Sequence, residues 1–451
     1  MTTASAATST GSTHAPGATA PVSAHTPASS SSTAAPSAPA SVDCIIAGGG
    51  PAGLFLALLL VRQGISVALM EAHGDFDRDF RGDTIHPSTM EVLDELDLAD
   101  AVLALDPGKV RSLMLVSGTE SIRIADFSRL KTRFPYIAMM PQVQLLNVLA
   151  REATRFEGFH LLFHASVNRL LYHNGIVNGV TWRRNGTDYE MRAQLVIGAD
   201  GRASRVRRLA ELEMVKTAAP MDVLWFRVPQ PPGAVDEQAA FRFGPGSALV
   251  LLDRGDQLQV GYILARKAYG ALRQKGFDAF RRSCVEVCPA LAPVIDNVTG
   301  WKDVALLSVE CGRLTTWHKP GVLCIGDAAH IMSPAGGIGI SYAVQDAVAA
   351  ANILTEPLRD RNVNEIALLA VQQRREKATR FIQKFQSVIH DNIVASALHS
   401  RHRLPLPWFA RLLPHIPLLR DMPARTIAFG PQPEHVHHLR TRGPAGSGHL
   451  T

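Results

Sequence analysis

The chain has 451 residues, of which 46% are hydrophobic and 19% are charged, and its formal net charge is +6. This composition is typical of a globular protein with room for two domains and excludes a fibrous or wholly disordered chain. The basic residues are scattered and no nucleic-acid-binding signature occurs, so the charge favours small anionic ligands over DNA or RNA. No stretch is long and apolar enough to predict a transmembrane helix.

Residues 1–42 consist mainly of Ala, Ser, Thr, Pro and Gly, with no Lys, Arg, Asp or Glu. Such a segment cannot bury a core, and it lacks the features of a signal or transit peptide, so it is predicted to be a disordered tail. The five cysteines fit no zinc or redox spacing. They indicate buried, reduced thiols in a cytoplasmic protein without a metal site.

The next segment, residues 43–71, has the pattern of a strand, a glycine turn, a helix, a second strand and an acid. Gly48 permits the tight turn, Gly50 leaves room for a pyrophosphate, and Gly53 lets the helix lie close to the strand. The helix N-terminus presents N–H groups to an anion. Glu71, about 20 residues beyond the glycines, ends the second strand, where a carboxylate accepts hydrogen bonds from a ribose diol. The segment predicts a dinucleotide-binding unit.

Between Glu71 and residue 200 the sequence predicts a mixture of helices and strands. Ser88 and Glu91 have the spacing of a capping box, so a helix is expected to begin near Ser88. Apolar residues at helical spacing follow Met139. Asn185-Gly186 predicts a tight hairpin turn. The predicted strands are His160–Tyr172, Val177–Arg183 and Tyr189–Ile197.

Two later strand ends carry an acid next to a glycine. The first delivers Asp200-Gly201, and the second, ending in Gly326-Asp327, leads into the loop Pro334–Gly339 and an Ala-rich helix from about Ser341 to Leu354. Ligands of open α/β sheets bind at the carboxyl ends of strands. Both acids are therefore expected near the dinucleotide site.

These patterns predict an α/β fold with a discontinuous nucleotide-binding domain. That domain comprises residues 43–220 and 320–360, and it is interrupted by residues 221–319, where short strands alternate with turn signals. The inserted segment predicts an antiparallel sheet that forms a substrate domain, with a helix candidate at Phe277–Val287. Residues 361–451 are predicted to form C-terminal helices and a tail.

In these three motifs, the sequence resembles the group A flavoprotein monooxygenases, the single-component FAD-dependent aromatic hydroxylases typified by p-hydroxybenzoate hydroxylase. The resemblance covers about residues 43–400 and rests on GGGPAG with Glu71, on Asp200-Gly201, and on Gly326-Asp327 with the loop that follows. It implies a Rossmann-like FAD-binding domain of the GR2 type, with FAD as cofactor and NAD(P)H as a transient co-substrate. The cofactor-binding residues that it implies are Gly48, Gly50, Gly53, Glu71, Arg81, Gln142, Asp200, Asp327, Pro334, Gly337 and Gly339.

The chain departs from the family pattern at two places. Gln142 stands where the family often has Arg, and Gly337-Ile338-Gly339-Ile340-Ser341 replaces the common Gly-Gln-Gly-x-Asn. Arg81, which precedes the predicted second helix, is read as a phosphate partner, with an exposed solvated Arg as the alternative.

The resemblance implies hydroxylation of an electron-rich aromatic or heteroaromatic molecule with NAD(P)H and O2 through a flavin C4a-hydroperoxide. An FAD-dependent reductase of the same fold, acting without oxygen insertion, is the alternative. The acceptor pocket is expected to be apolar, because water would divert the reaction to hydrogen peroxide. The aromatic residues that could line it, or else pack the sheet core, are Trp225, Phe226, Phe241 and Phe243.

No catalytic base is identified from the sequence. His86 and His330 are each expected to be structural, and a metal site at His435, His437 and His438 is disfavoured because these residues lie in a Pro-rich tail. The apolar segment Leu404–Phe429 is expected to pack over the domains, with a membrane or partner contact as the alternative. The oligomeric state is left open, with a homodimer as one candidate.

Overall fold

The computed structural model describes residues 38–77, 84–232, 238–391, 395, 398, 400 and 416–437. Its helices and strands form a mixed α/β fold, which confirms the predicted fold class. The helices are α1 (Pro51–Arg62), α2 (Pro87–Glu95), α3 (Ala99–Leu103), α4 (Gln142–Ala153), α5 (Arg205–Leu209), α6 (Tyr269–Gln274), α7 (Phe277–Val287), α8 (Gly339–Arg359), α9 (Glu365–Ile389), α10 (Pro417–Arg420) and α11 (Met422–Phe429).

The first sheet has eight strands among the described residues, in the order β17-β18-β11-β1-β2-β8, with β10 paired to β11 and β9 paired to β10. Its strands are β1 (Ser41–Ala47), β2 (Val67–Met70), β8 (Phe159–Leu162), β9 (Ser166–His173), β10 (Ile176–Arg184), β11 (Thr187–Gly198), β17 (His318–Lys319) and β18 (Val322–Cys324). The run from β18 to β8 is parallel. Within it, β2, β18 and the last four residues of β11 are continuous buried segments, as expected of strands that are covered on both faces.

The first strand begins earlier than the sequence indicated. The N–H of Arg192 donates to the carbonyl of Ala40 at 3.0 Å, and β1 includes Ser41 and Val42. These two residues therefore belong to the strand rather than to the predicted tail. Between β10 and β11, Asn185 and Gly186 have φ values of 50° and 83°, the left-handed pair expected of a tight hairpin.

The second sheet also has eight strands among the described residues, in the order β19-β16-β12-β15-β14-β13-β5-β6. Its strands are β5 (Ser112–Ser117), β6 (Glu120–Asp126), β12 (Met214–Pro229), β13 (Ala239–Gly244), β14 (Ser247–Asp253), β15 (Gln257–Ala265), β16 (Ala305–Leu314) and β19 (His330–Ile331). The antiparallel strands expected within residues 221–319 are present. The strands β5 and β6 were not predicted, and β5 pairs in parallel with β13.

The two faces of the second sheet have different neighbours because successive side chains on a strand point in opposite directions. Leu224, Phe226 and Val260 pack into one buried core with Phe280 of α7. The alternate residues, such as Val223 and Trp225, point to the other face.

A small third sheet joins β3 (Thr84–Ile85), β7 (Ile137–Met139) and β4 (Gly108–Val110). Its strand β3 is followed in the chain by α2, which begins at Pro87 rather than at Ser88. The predicted capping box is not formed. The hydroxyl of Ser88 is buried without a partner among the described residues, while Glu91 accepts a hydrogen bond from Thr132 at 2.7 Å. Pro87 fits the first helical position because its missing N–H would have no acceptor there.

The C-terminal helices pack onto the rest of the fold. Ala424, Ile427 and Ala428 of α11 are buried in one cluster with Ile382 of α9 and Tyr342 of α8. For the part of Leu404–Phe429 that the structure describes, packing against the fold is therefore confirmed. No helix in the described ranges is both long and apolar enough to cross a membrane.

Candidate functional site

The three glycines of the first turn are required for different reasons. Gly48 has a φ of +106°, and a Cβ there would lie 2.4 Å from the carbonyl oxygen of Ala199. A Cβ on Gly53 would lie 2.0 Å from the carbonyl oxygen of Gly48, so the helix can approach the strand only without one. A Cβ on Gly50 would meet no atom within 4 Å. Packing within the protein therefore requires glycine at positions 48 and 53, whereas Gly50 borders open space at the N-terminus of α1.

Glu71 is buried at the end of β2 and holds the glycine turn. Its Oε2 accepts the N–H of Gly49 at 2.9 Å. Its Oε1 accepts the N–H of His73 at 2.9 Å and contacts His73 Nδ1 at 2.8 Å. The acid that was predicted to bind a ribose diol thus also anchors the loop beside that position.

Asp200 and Asp327 lie at neighbouring strand ends, as the pattern of the sequence predicted. The carboxylate of Asp200 accepts hydrogen bonds from the hydroxyl of Ser204 and from the N–H groups of Arg205, at 2.6 Å, and Val206, at 3.0 Å. It therefore caps the start of α5. Asp327 is partly exposed, with Oδ2 3.5 Å from Nε of Arg202.

The glycine-rich loop after β19 is held from the side of α9. Nε2 of Gln386 donates to the carbonyl oxygens of Ser333, at 2.9 Å, and Ala335, at 2.8 Å, and its Oε1 accepts the N–H of Ser333 at 3.2 Å. The hydroxyl of Ser333 lies 2.8 Å from Nε2 of His390. The NH2 group and the carbonyl oxygen of the Gln386 side chain thus both hold the backbone of the loop.

His86 and Thr84 hold the same loop from the opposite side. Thr84 Oγ1 donates to the carbonyl of Gly337 at 2.9 Å, and Nε2 of His86 lies 3.1 Å from that oxygen. Nδ1 of His86 is 2.9 Å from the carbonyl of Ile427. Complete burial lowers the pKa of His86 to about 4, so the ring is neutral at neutral pH. This supports the structural role expected for His86.

His330 belongs to a buried charge network beneath the loop. Asp346, which is fully buried, accepts from Nε2 of His330 at 2.6 Å, from Nε of Arg375 at 3.1 Å and from the N–H of Gly326 at 3.0 Å. Nη1 of Arg375 also lies 3.3 Å from Oε1 of Glu434. Burial alone raises the pKa of the Asp346 carboxyl, but His330, Arg375 and the Gly326 N–H outweigh it and the net pKa is lowered. The network pins the turn that presents Asp327.

A single cavity of about 980 Å³ joins these elements to the inner face of the second sheet. The predicted cofactor residues that line it are Gly48, Gly50, Glu71, Gln142, Asp200, Asp327, Pro334, Gly337 and Gly339. Gly53 lies beneath the turn, and Arg81 lies outside the described residues. The residues present fit a dinucleotide, because a glycine cradle without side-chain obstruction meets a helix N-terminus at one end of this space.

The sheet side of the cavity is apolar. Its lining includes Met221, Val223, Trp225, Phe241, Val250, Ile263 and Leu307. Of the four aromatic residues proposed for this role, Trp225 and Phe241 line the cavity. Phe226 is on the opposite face, with its ring centroid 5.5 Å from that of Phe280. Phe243 is buried in the sheet core.

Several residues of the site were not found from the sequence. Gln386 and Asp346 lie on helices whose sequences read as ordinary amphipathic segments. Gln259, a buried amide on β15 that lines the cavity, carried a usable signal, because it is a polar residue at an inward position of an otherwise apolar strand. In the C-terminal histidine group, His435 contacts Glu95 at 2.6 Å, and His438 lies outside the described residues.

A glycine cradle that opens into an apolar cavity under a mixed sheet fits a dinucleotide-binding enzyme with apolar space beside its cofactor site. The model of the FAD binding domain family matches residues 41–385 of the chain. The chain is 34% identical to 6-methylpretetramide 4-monooxygenase of Streptomyces rimosus over 87% of its own length and 93% of that protein. It is 25% identical to pentachlorophenol 4-monooxygenase of Sphingobium chlorophenolicum over 69% of this chain and 58% of that protein.

Among solved structures, PqsL of Pseudomonas aeruginosa, described as a probable FAD-dependent monooxygenase, has the same fold. The TM-score is 0.68 at 23% identity, over 80% of this chain and 97% of that chain. The protein belongs to the group A family of FAD-dependent aromatic monooxygenases. It is therefore an enzyme of this type with FAD as its cofactor, as the resemblance implied.

Proposed function

We propose that this enzyme hydroxylates an electron-rich, fused polycyclic aromatic molecule, using NAD(P)H and O2. The observation that carries the proposal is the single cavity of about 980 Å³ that joins the glycine cradle to the apolar sheet face. Its volume, which has to hold both the cofactor and the acceptor, is at the upper end of the range for ligand sites. The relative at 34% identity, named for its action on 6-methylpretetramide, supports a multi-ring acceptor.

The residues of the cradle would bind and orient the cofactor. The N–H groups at the start of α1 and the bare backbone of Gly50 would face the pyrophosphate, and Glu71 would hold the turn and the adenosine ribose. Asp327 would bind the ribityl or pyrophosphate region. Pro334 and the backbone of Gly337 and Gly339 would face the isoalloxazine ring.

When bound, FAD supplies the redox chemistry and the activation of O2. The contribution of the sheet side is exclusion of water and placement of the acceptor ring. Trp225 and Phe241 present aromatic surface to the cavity, which suits the stacking of a planar substrate. The loop held by Gln386 and His86 would set the distance between cofactor and substrate.

The test is a panel of phenols, aminoarenes and fused polycyclic phenols, assayed with NADH and NADPH. A suitable fused phenol should accelerate anaerobic reduction of the bound flavin and, in air, should yield a product heavier by one oxygen atom. Equal reduction rates with and without every acceptor, together with no oxygenated product, would refute the proposal and favour the reductase alternative. Peroxide is measured in parallel, because NAD(P)H consumption alone does not distinguish hydroxylation from leakage.

A cytoplasmic location completes the proposal, and a homodimer is one candidate for the oligomeric state. The location is supported by the cysteines, which are free thiols, with Cys44, Cys284, Cys288 and Cys324 buried and Cys311 half-buried. Light scattering during gel filtration would decide between monomer and dimer.

A further inference from the structure

The apolar side of the cavity contains an amide, Gln259 of β15, whose side chain is 4% exposed. It stands opposite Leu252 on β14. Leu252 in turn packs against the apolar cluster that contains Met332 and Ile338, of which Met332 precedes the loop proposed to face the isoalloxazine and Ile338 lies within it. Gln259 therefore borders the space between the sheet and that loop, where an aromatic acceptor would lie.

The orientation of the amide follows from its contact with Arg254. Nε and Nη2 of Arg254 lie 2.9 Å and 2.6 Å from Oε1 of Gln259. A guanidinium has donors and no acceptor, so the atom that it contacts must be the amide oxygen. The NH2 group consequently lies on the side of the amide away from Arg254.

The NH2 group of Gln259 has no hydrogen-bond partner among the described residues, yet it belongs to a buried side chain that lines the cavity. The nitrogen is not among the fully buried polar atoms that lack a partner, so it keeps accessible surface that an acceptor on a ligand can reach. A ligand without such an acceptor would exclude water from the donor and leave it unpaired, which costs free energy. The positive charge on Arg254 also polarises the amide through its oxygen, which strengthens the N–H donors on the other side.

We propose that Gln259 is a specificity-determining residue that donates a hydrogen bond to an oxygen acceptor, a ring carbonyl or phenolate, on the aromatic substrate. Arg254 is the positioning residue that fixes which way the amide faces. The inference rests on the proposed function, because it names a feature of the substrate bound at that same site. It favours polycyclic aromatics with an oxygen on the ring edge over the corresponding hydrocarbons.

The experiment measures equilibrium binding of 9-fluorenone and of fluorene to the FAD-loaded enzyme, without NAD(P)H, from the change in flavin absorbance. The two probes share shape and size and differ in one carbonyl oxygen. The wild type should bind fluorenone roughly tenfold or more tightly than fluorene. Gln259→Leu should remove this preference while leaving fluorene binding within about twofold, as expected when a donor is lost but apolar contact is kept.

Two further variants separate donation from shape. Gln259→Glu keeps the size of the side chain and its contact with Arg254 but removes both N–H donors, so it should also lose the preference for fluorenone. Gln257→Leu makes the same chemical change at the exposed start of β15 and should behave as the wild type. Arg254→Met should reduce the preference, because the amide is then free to rotate.

Equal affinity of the wild type for both probes, or an equal loss of both probes in Gln259→Leu at unchanged flavin content and melting temperature, would overturn the proposal. Because binding is measured without turnover, its failure is separate from failure of the proposed function. An enzyme that prefers fluorenone but oxygenates no acceptor would keep the role of Gln259 and refute the hydroxylase assignment.

Discussion

Replacing Asp346 with Asn tests the buried charge network beneath the cofactor loop. The substitution keeps the size of the side chain but removes its charge and one acceptor oxygen. Asp346 and Arg375 both have fully buried side chains, with Nε of Arg375 3.1 Å from Oδ1 of Asp346. The variant leaves the guanidinium without a charged partner at this position and weakens the contacts to His330 and the Gly326 N–H.

Removing one partner of a buried ion pair typically costs about 3–5 kcal/mol, because the other charge stays buried. Arg375 retains Glu434 at 3.3 Å and Gln345 at 3.1 Å. We therefore expect the lower end of that range, about 3 kcal/mol, for Asp346→Asn. The same change should weaken FAD retention, since Asp346 pins the Gly326-Asp327 turn.

The measurement is the free energy of unfolding from urea titrations of Asp346→Asn, Arg375→Met and the double variant. The double variant should be more stable than the sum of the single losses implies, by about 1 kcal/mol or more, because no uncompensated charge remains at the pair. Additive losses, or an Asp346→Asn variant as stable as the wild type, would refute the reasoning.

The same carboxylate also makes a prediction about pH. The folded pKa of Asp346 is lowered below its ordinary value of 3.8, so the folded state binds fewer protons than the unfolded state in acid. Its contribution to stability is present above the unfolded pKa and is lost as pH falls below it, through the folded pKa. Asp346→Asn should therefore lose less stability than the wild type when the pH is lowered through this window.

The remaining predictions concern the cavity. Gly50→Asp should fold with a near-native melting temperature but fail to retain FAD, because an added Cβ meets no protein atom within 4 Å while the side chain brings charge and bulk to the pyrophosphate position. Gly270→Asp, the control, makes the same change at an exposed position that also has no atom within 4 Å, and it should keep the cofactor. Trp225→Ala should change the acceptor preference and increase peroxide release at constant flavin content. Phe226→Ala should instead lower the free energy of unfolding by about 3–5 kcal/mol and leave the acceptor preference unchanged. Absorbance of bound flavin, urea unfolding and peroxide assays measure these outcomes, and a loss of folding in Gly50→Asp or identical behaviour of the Trp225 and Phe226 variants would contradict them.

The cofactor cradle was predictable because its interactions are local. The segment from Gly48 to Glu71 forms one local unit of turn, helix, strand and acid. Spacing and residue type were therefore sufficient to predict this unit from the sequence. The positions of Asp200 and Asp327 in the cavity lining were predictable for the same reason, since each follows a strand whose apolar run is visible in the sequence.

The rest of the site depends on contacts between distant parts of the chain. The parallel pairing of β5 with β13 joins residues that no local pattern connects, so these first strands of the second sheet were missed. By contrast, the distinction between Trp225 and Phe226 was present in the sequence. Adjacent residues on a strand point to opposite faces, so both could not line the same cavity.

The loop proposed to face the isoalloxazine is fixed by parts of the chain that are far apart in sequence. Thr84 and His86 hold its Gly337 carbonyl, while Gln386 holds its start from α9. The other ring nitrogen of His86, Nδ1, lies 2.9 Å from the carbonyl of Ile427, so α11 lies beside the same ring. A neutral imidazole has one N–H, so it donates to one of these two carbonyls at a time. The region predicted to bind the nucleotide, residues 43–220 and 320–360, contains this loop but not Gln386 or Ile427, which help to position it. Because rigid placement of the cofactor relative to the substrate governs productive oxygen transfer, the C-terminal helices contribute to the active site through the backbone they hold.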